Sequence, residues 1–249
     1  MFDKYLIVCT FRSGSTILAT LLQEATGLED LGEYVFNGKD KVTSLMKYTM
    51  TPFSKDLLEF EKVRKERIEY LKSTNGWIVR NPVVAGSTNK ELIDFCADRE
   101  DTKLIFLYRR NMIDQYLSDV NTAYRSMINR GRPKNKFYNN EEFEKFESID
   151  LPAAKLKEWA IGTLTKVEAW RALYEQYKAK CQLVCYEDHI EPLELRHIGI
   201  TESIVNRYYS KQQHLVKTPY NCTNFKHDSF QNYVDFFDSY KYITDITPG

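Results

Sequence analysis

The stretch Tyr5–Ala25, YLIVCTFRSGSTILATLLQEA, constrains the chain more than any other. It opens on a continuous apolar run of strand length, and Ile17, Leu18, Leu21, Leu22 and Ala25 then recur at the spacing of one helix face. A buried strand that turns tightly into an amphipathic helix is the repeating unit of a parallel sheet covered by helices. Ser15 or Thr16 is placed to cap that helix and Gly27 to end it. Three further apolar runs, Trp77–Val79, Leu104–Tyr108 and Leu183–Tyr186, lead into stretches of helical periodicity, directly or after a loop. The expectation is an α/β fold, a parallel β-sheet flanked by helices on both faces.

The longest periodic stretch predicts a helix from Ala153 to Tyr177. Its stripe is Leu156, Trp159, Ala160, Thr163, Val167, Trp170, Leu173 and Tyr174, and its aromatics read as core. Before it, Gly131-Arg132-Pro133 and the polar segment that follows predict an excursion around 129–150. With 249 residues and no internal repeat, a single domain over 1–249 is expected.

Composition removes several function classes. Lys plus Arg (35) balance Asp plus Glu (35), so no net positive field argues for nucleic acid or an anionic membrane. No window approaches the roughly 18 apolar residues of a spanning helix, and the first residues lack a signal-peptide pattern, so the expectation is a cytoplasmic chain with no membrane insertion. Cys9, Cys96, Cys181, Cys185 and Cys222 form no CxxC pair and are odd in number, as expected of reduced, scattered thiols. His189, His197, His214 and His227 lack metal-ligand spacing, and no metal is expected.

The chemistry sits in the loops after the first and third apolar runs. In Arg12-Ser13-Gly14-Ser15-Thr16 the backbone N–H groups can converge at a helix N-terminus, with hydroxyl donors and one guanidinium beside them. This is a cradle for a phosphate-like group, although a loop that merely caps a helix has a similar composition. The GxxxxGK[ST] pattern of nucleotide triphosphatases is not met, because both its first Gly and its Lys are missing. The second loop, LYRRNMIDQYLSD, puts Arg109-Arg110 at a strand end and Ser118 two helical turns later, where one Arg and one hydroxyl can hold a second phosphate. Taken alone, that Arg pair could equally pair with Asp114 and solvent.

Together these motifs resemble the sulfotransferases that use 3′-phosphoadenosine-5′-phosphosulfate (PAPS). RSGST looks like the family's 5′-phosphosulfate loop, and RRNMIDQYLS is similar to its 3′-phosphate motif of Arg then Ser. LVCYEDHIEP, Leu183–Pro192, is similar to the family's strand ending in a Tyr-Glu-Asp turn, and EAW at Glu168–Trp170 to the helix before it. The resemblance runs over about residues 4–200. Arg in place of the Lys of the steroid and phenol enzymes makes it nearest to bacterial carbohydrate sulfotransferases of the trehalose and nodulation-factor type.

The resemblance implies a P-loop-like fold, PAPS as co-substrate with PAP as product, and no metal. It assigns Arg12 to catalysis and to the donor, Ser13, Gly14, Ser15 and Thr16 to the phosphosulfate, and Arg110 and Ser118 to the 3′-phosphate, with Arg109 the adjacent alternative. Glu33 falls at the position of the general base; the usual Pro of that loop is absent, and Glu29 and Asp30 are the neighbouring carboxylates. Arg80 is expected near the sulfuryl group or the acceptor. Tyr186, Glu187 and Asp188 are expected to brace the turn after the last strand, and Lys211, Lys217 and 221–230 to form a flap or pack the surface.

The expected activity is in-line sulfuryl transfer to a hydroxyl of a carbohydrate, glycolipid or other small acceptor. The alternatives are a P-loop-like kinase of a nucleotide or small molecule, and an inactive PAP(S)-binding protein. The acceptor pocket is expected from Tyr34–Lys55 and Ser126–Ile149, which name no acceptor. Oligomeric state is left open by the sequence.

Overall fold

A computed structural model describes residues 2–33, 54–83, 90–119, 153–211 and 230–246. The expected excursion at 129–150, most of both acceptor segments, and Lys217 and 221–229 lie outside the described residues.

Five parallel strands form one sheet in the order β2-β3-β1-β4-β5, with β1 Lys4–Cys9, β2 Glu29–Asp30, β3 Trp77–Pro82, β4 Thr102–Tyr108 and β5 Gln182–Cys185. The four apolar runs thus become four strands, each extended or shifted by a residue or a few. The short β2 is an addition, because Glu29-Asp30 carries no apolar signal; it forms by pairing Glu29 and Asp30 with Trp77 and Ile78. Helices α1 Ser15–Thr26, α2 Ser54–Ser73 and α3 Lys90–Ala97 precede β4, α4 opens at 112 and is described to 119, and α5 spans Ala153–Tyr177, matching the expected helix. After β5 come a π-helical turn Tyr186–Ile190, α6 Glu202–Lys211 and α7 Phe230–Asp238.

Alternation along the strands divides the core into two layers. Leu6, Val8, Leu104, Phe106 and Tyr108 face α2, α3 and α5, while Tyr5, Ile7, Cys9, Ile105 and Leu107 face α1 and α6. A third cluster packs Met112, Tyr116 and Leu117 of α4 against Ala160, Leu164 and Val167 of α5 and Phe237 of α7. The α5 stripe is confirmed from Ala160 onward and continues to Tyr177.

Trp170 ties α5 to the sheet. Its ring stacks on Tyr108 at 5.3 Å and meets Phe106 edge-on at 5.8 Å, and its Nε1–H donates to the Val8 carbonyl at 3.2 Å. The indole N–H is therefore satisfied where burial would otherwise make it costly.

Connections from β1 lead toward β2 and β3, and those from β4 toward β5, so the order reverses between adjacent β1 and β4. The crevice at the C-terminal ends of those strands is the ligand position of an open α/β sheet. Trp170→Ala is expected to lower stability by about 3–5 kcal/mol, read as a lower urea midpoint with an unchanged slope.

Candidate active site at the sheet switch point

The first loop leaves β1 at Cys9 and enters α1 through Gly14, which stands at the N-cap with φ +87° and no side-chain cap. Ser15 and Thr16 are therefore the first helical residues, not the cap expected of them. The cap residue therefore supplies no side-chain acceptor to the leading amides of α1, which a helix N-terminus can offer to an anion. The glycine is required twice: by its left-handed φ, and because a Cβ there would lie 2.7 Å from Tyr186 Cδ2 and 3.2 Å from Ile190 Cγ2. The loop thus rests on the π-helical turn that follows β5.

Arg12 also adopts a left-handed backbone, φ +63°. For a residue bearing a Cβ that costs about 1–2 kcal/mol, and neighbours must hold it. Two contacts from α4 do so: Gln115 Nε2 donates to the Phe11 carbonyl at 2.6 Å, and Ser118 Oγ accepts from Arg12 Nε at 2.8 Å. The residues assigned by resemblance to opposite ends of the donor, Arg12 and Ser118, are hydrogen-bonded to each other. The Ser13 hydroxyl is turned inward, donating to the Thr10 carbonyl at 2.7 Å in a fully buried position. Its expected part as a hydroxyl donor to the anion is corrected: the Ser13 hydroxyl is spent inside the loop.

The two arginines of the second loop separate sharply. Arg109 is 5% exposed, pairs with Asp114 at 3.0 Å and Glu187 at 3.7 Å, and its guanidinium lies 4.6 Å from the centre of the Tyr186 ring. Arg110 is 47% exposed and pairs with Asp188. Burial distinguishes them: Arg109 is an internal brace, and Arg110 is the arginine that faces solvent. Glu187 accepts from the amides of Arg110 at 2.9 Å and Asn111 at 3.0 Å, while Asn111 Oδ1 accepts from the Asp114 amide at 3.1 Å. The α4 N-terminus is thus capped by the chain itself, and the second loop offers side chains where the first offers amides.

The Tyr-Glu-Asp segment braces as expected, though what it holds is the two neighbouring loops. His189 fixes that segment, its Nδ1 accepting from the Cys185 amide at 2.9 Å, and its ring lies 4.5 Å from that of His197. Burial, with a smaller contribution from His189, lowers the His197 pKa.

Arg80, on β3, joins the first loop to the segment carrying Glu33. Its Nη1 donates to Thr16 Oγ1 at 2.8 Å, its Nη2 lies 3.6 Å from Asp30 Oδ2, and its amide donates to the Gly32 carbonyl at 2.8 Å. Asp30 is bound further by the Gly32 amide at 2.8 Å. Asp30 is therefore committed to this corner and Glu29 lies a residue earlier on β2, so Glu33, just beyond Gly32, is the carboxylate that leaves the strand at the sheet edge. Burial pushes the Cys9 thiol up to about 12, with Ser15 opposing and the charge of Glu33 adding smaller effects.

Thr10 Oγ1, Arg80 Nε, Arg109 Nε and Gln115 Oε1 are buried here with no hydrogen-bond partner among the described residues. Such atoms are uncommon in a finished core; these four lie at the C-terminal ends of β1, β3 and β4 or on the helix that follows β4. No cluster of His, Cys, Asp and Glu suited to a metal occurs among the described residues, and none of their helices is long and apolar enough to cross a membrane.

Gln115 and Asn111 were not singled out by sequence reasoning, and Glu187 was expected only to brace its own turn. The signal available for Gln115 was its place three residues before Ser118 on one helix face; Glu187 carried no local signal for its partners.

No protein-family model and no curated protein matches this sequence. Among solved structures, an unliganded sugar kinase from Janibacter sp. HTCC2649 aligns with a TM-score of 0.37 and 11% identity, over 82% of this chain and 98% of that one. A likeness this distant bears on neither mechanism nor substrate.

Gly14→Ala is expected to destabilise the protein by about 2 kcal/mol or more, from the left-handed φ and the overlap with Tyr186. Urea denaturation beside Gly27→Ala, whose added Cβ meets nothing within 4 Å, separates the two contributions.

Proposed function

We propose that this chain is a sulfotransferase that moves a sulfuryl group from PAPS to a hydroxyl of a carbohydrate, glycolipid or other small acceptor. The observation that carries the reading is the Arg12–Ser118 hydrogen bond across the crevice between β1 and β4. It joins a loop of outward amides to a helix bearing a hydroxyl and following an exposed arginine, an arrangement suited to a ligand with two anionic groups. An uncapped α1 N-terminus with Arg12 beside it suits the phosphosulfate; Arg110 and Ser118 suit the 3′-phosphate.

In the proposed reaction Glu33 accepts the proton of the acceptor hydroxyl as its oxygen bonds to sulfur. The bond from sulfur to the 5′-phosphate oxygen breaks in line, and PAP leaves. Arg12 and the α1 amides stabilise the charge gathering on the leaving oxygen, as a preorganised donor set does best. Arg80, between Thr16 and Gly32, orients the sulfuryl oxygens relative to Glu33. Ser13, with its hydroxyl engaged internally, contributes its amide.

The alternative is a kinase of a nucleotide or small molecule. The description of the Janibacter protein agrees with it in words, but at that TM-score the likeness lends it no force. An inactive PAP(S)-binding protein is the remaining alternative.

Calorimetric titration with PAP, AMP and Mg²⁺-ATP decides among them. PAP is expected to bind most tightly, and Arg110→Ala to weaken it by about 10–100-fold, the value of a charged hydrogen-bonded contact. Arg12→Ala is expected to slow PAPS consumption by about 10²–10³-fold with a smaller change in PAP affinity. Equal binding of PAP and AMP would overturn the sulfotransferase reading, ATP turnover would favour the kinase, and PAP binding without transfer to any acceptor would leave the inactive binder.

A further inference from the structure

Gln115 stands out among the buried polar groups that the mechanism does not use. It is 3% exposed, on the face of α4 that also carries Ser118. Its Nε2 donates to the Phe11 carbonyl at 2.6 Å, and its Oε1 is buried with no hydrogen-bond partner among the described residues. A half-satisfied amide is a costly occupant of such a position, where an apolar side chain would pack without penalty. The amide is therefore justified by the bond at its other end.

That bond holds the peptide immediately before Arg12, the non-glycine residue of this loop with positive φ. Rotation of the 11–12 peptide would swing the Phe11 carbonyl one way and the Arg12 side chain another. Gln115 blocks the first movement and Ser118 the second, one turn apart on the same helix. Lys166, whose Nζ lies 5.2 Å from the centre of the Phe11 ring, packs on the side chain and makes no bond to that carbonyl.

We propose that Gln115 is a positioning residue for sulfuryl transfer: its amide fixes the Phe11 carbonyl and so holds Arg12 in the strained conformation that aims its guanidinium into the crevice. The inference rests on the sulfotransferase reading for its catalytic consequence, but not for its structural one. A displacement of the order of 1 Å at a charge-stabilising group costs about 100-fold in rate, so the bond acts on kcat through Arg12 without touching the substrate.

Gln115→Met keeps the length and volume of the side chain and removes the donor. Three measurements on the full chain test the proposal: amide hydrogen exchange over residues 10–14, PAP affinity by calorimetry, and the rate of PAP formation from PAPS with water as acceptor. The expected result is faster exchange in 10–14, PAP affinity within about 3-fold of the parent, and kcat lower by about 100-fold. Because Gln115 acts through Arg12, Gln115→Met combined with Arg12→Ala is expected to be no slower than Arg12→Ala alone. A residue that only packs would give additive losses.

Unchanged exchange in 10–14, or additive losses, would overturn the proposal. A parent protein that neither binds PAP nor consumes PAPS, with exchange nonetheless raised in the variant, would sink the sulfotransferase reading and the catalytic part of the inference while leaving the loop contact standing. A urea midpoint shared by variant and parent excludes global loosening as the cause of faster exchange.

Discussion

Parallel strands bring all their C-terminal ends to one edge, and where strand order reverses the connections leave in opposite directions. Beyond the paired ends of β1 and β4 the two following loops are joined, among the described residues, through side chains. Arg12 to Ser118 and Gln115 to the Phe11 carbonyl are those links. The strained φ of Arg12 and the nearness of the two loops depend on them.

A second set of contacts supports the same edge from below. Tyr186 lies under Gly14 and carries the Arg109 guanidinium on its face, Glu187 holds the amides of Arg110 and Asn111, and Asp188 meets Arg110 outside. Adjacent residues thus serve different masters: Arg109 is spent on internal carboxylates in a buried place, where a planar cation with several donors is needed. Arg110, in water, keeps a partner that a ligand can displace at small cost, since an exposed ion pair contributes little.

Much of the fold was legible because its cause is periodic. The runs at Tyr5, Trp77, Leu104 and Leu183 and the stripe of Ala153–Tyr177 recorded burial directly, and burial made them strands and a helix. β2 was not legible, because a pair of acidic residues becomes a strand only by lying beside Trp77 and Ile78. The site divided along the same line. RSGST and the Arg-Ser spacing are local patterns, whereas the inward Ser13 hydroxyl, the burial of Arg109 against Arg110, and the grip of Gln115 arise from contacts distant in sequence or from neighbours that no spacing rule encodes.

The turn Tyr186–Ile190 gives the molecule a property that neither loop has alone. One short stretch of chain underlies the first loop through Tyr186 and closes the start of α4 through Glu187. If that turn opens, both supports go together, and the bond from the Cys185 amide to His189 goes with them. The two loops that flank the crevice therefore share one support, and local opening of that turn is expected to loosen both of them together rather than one at a time.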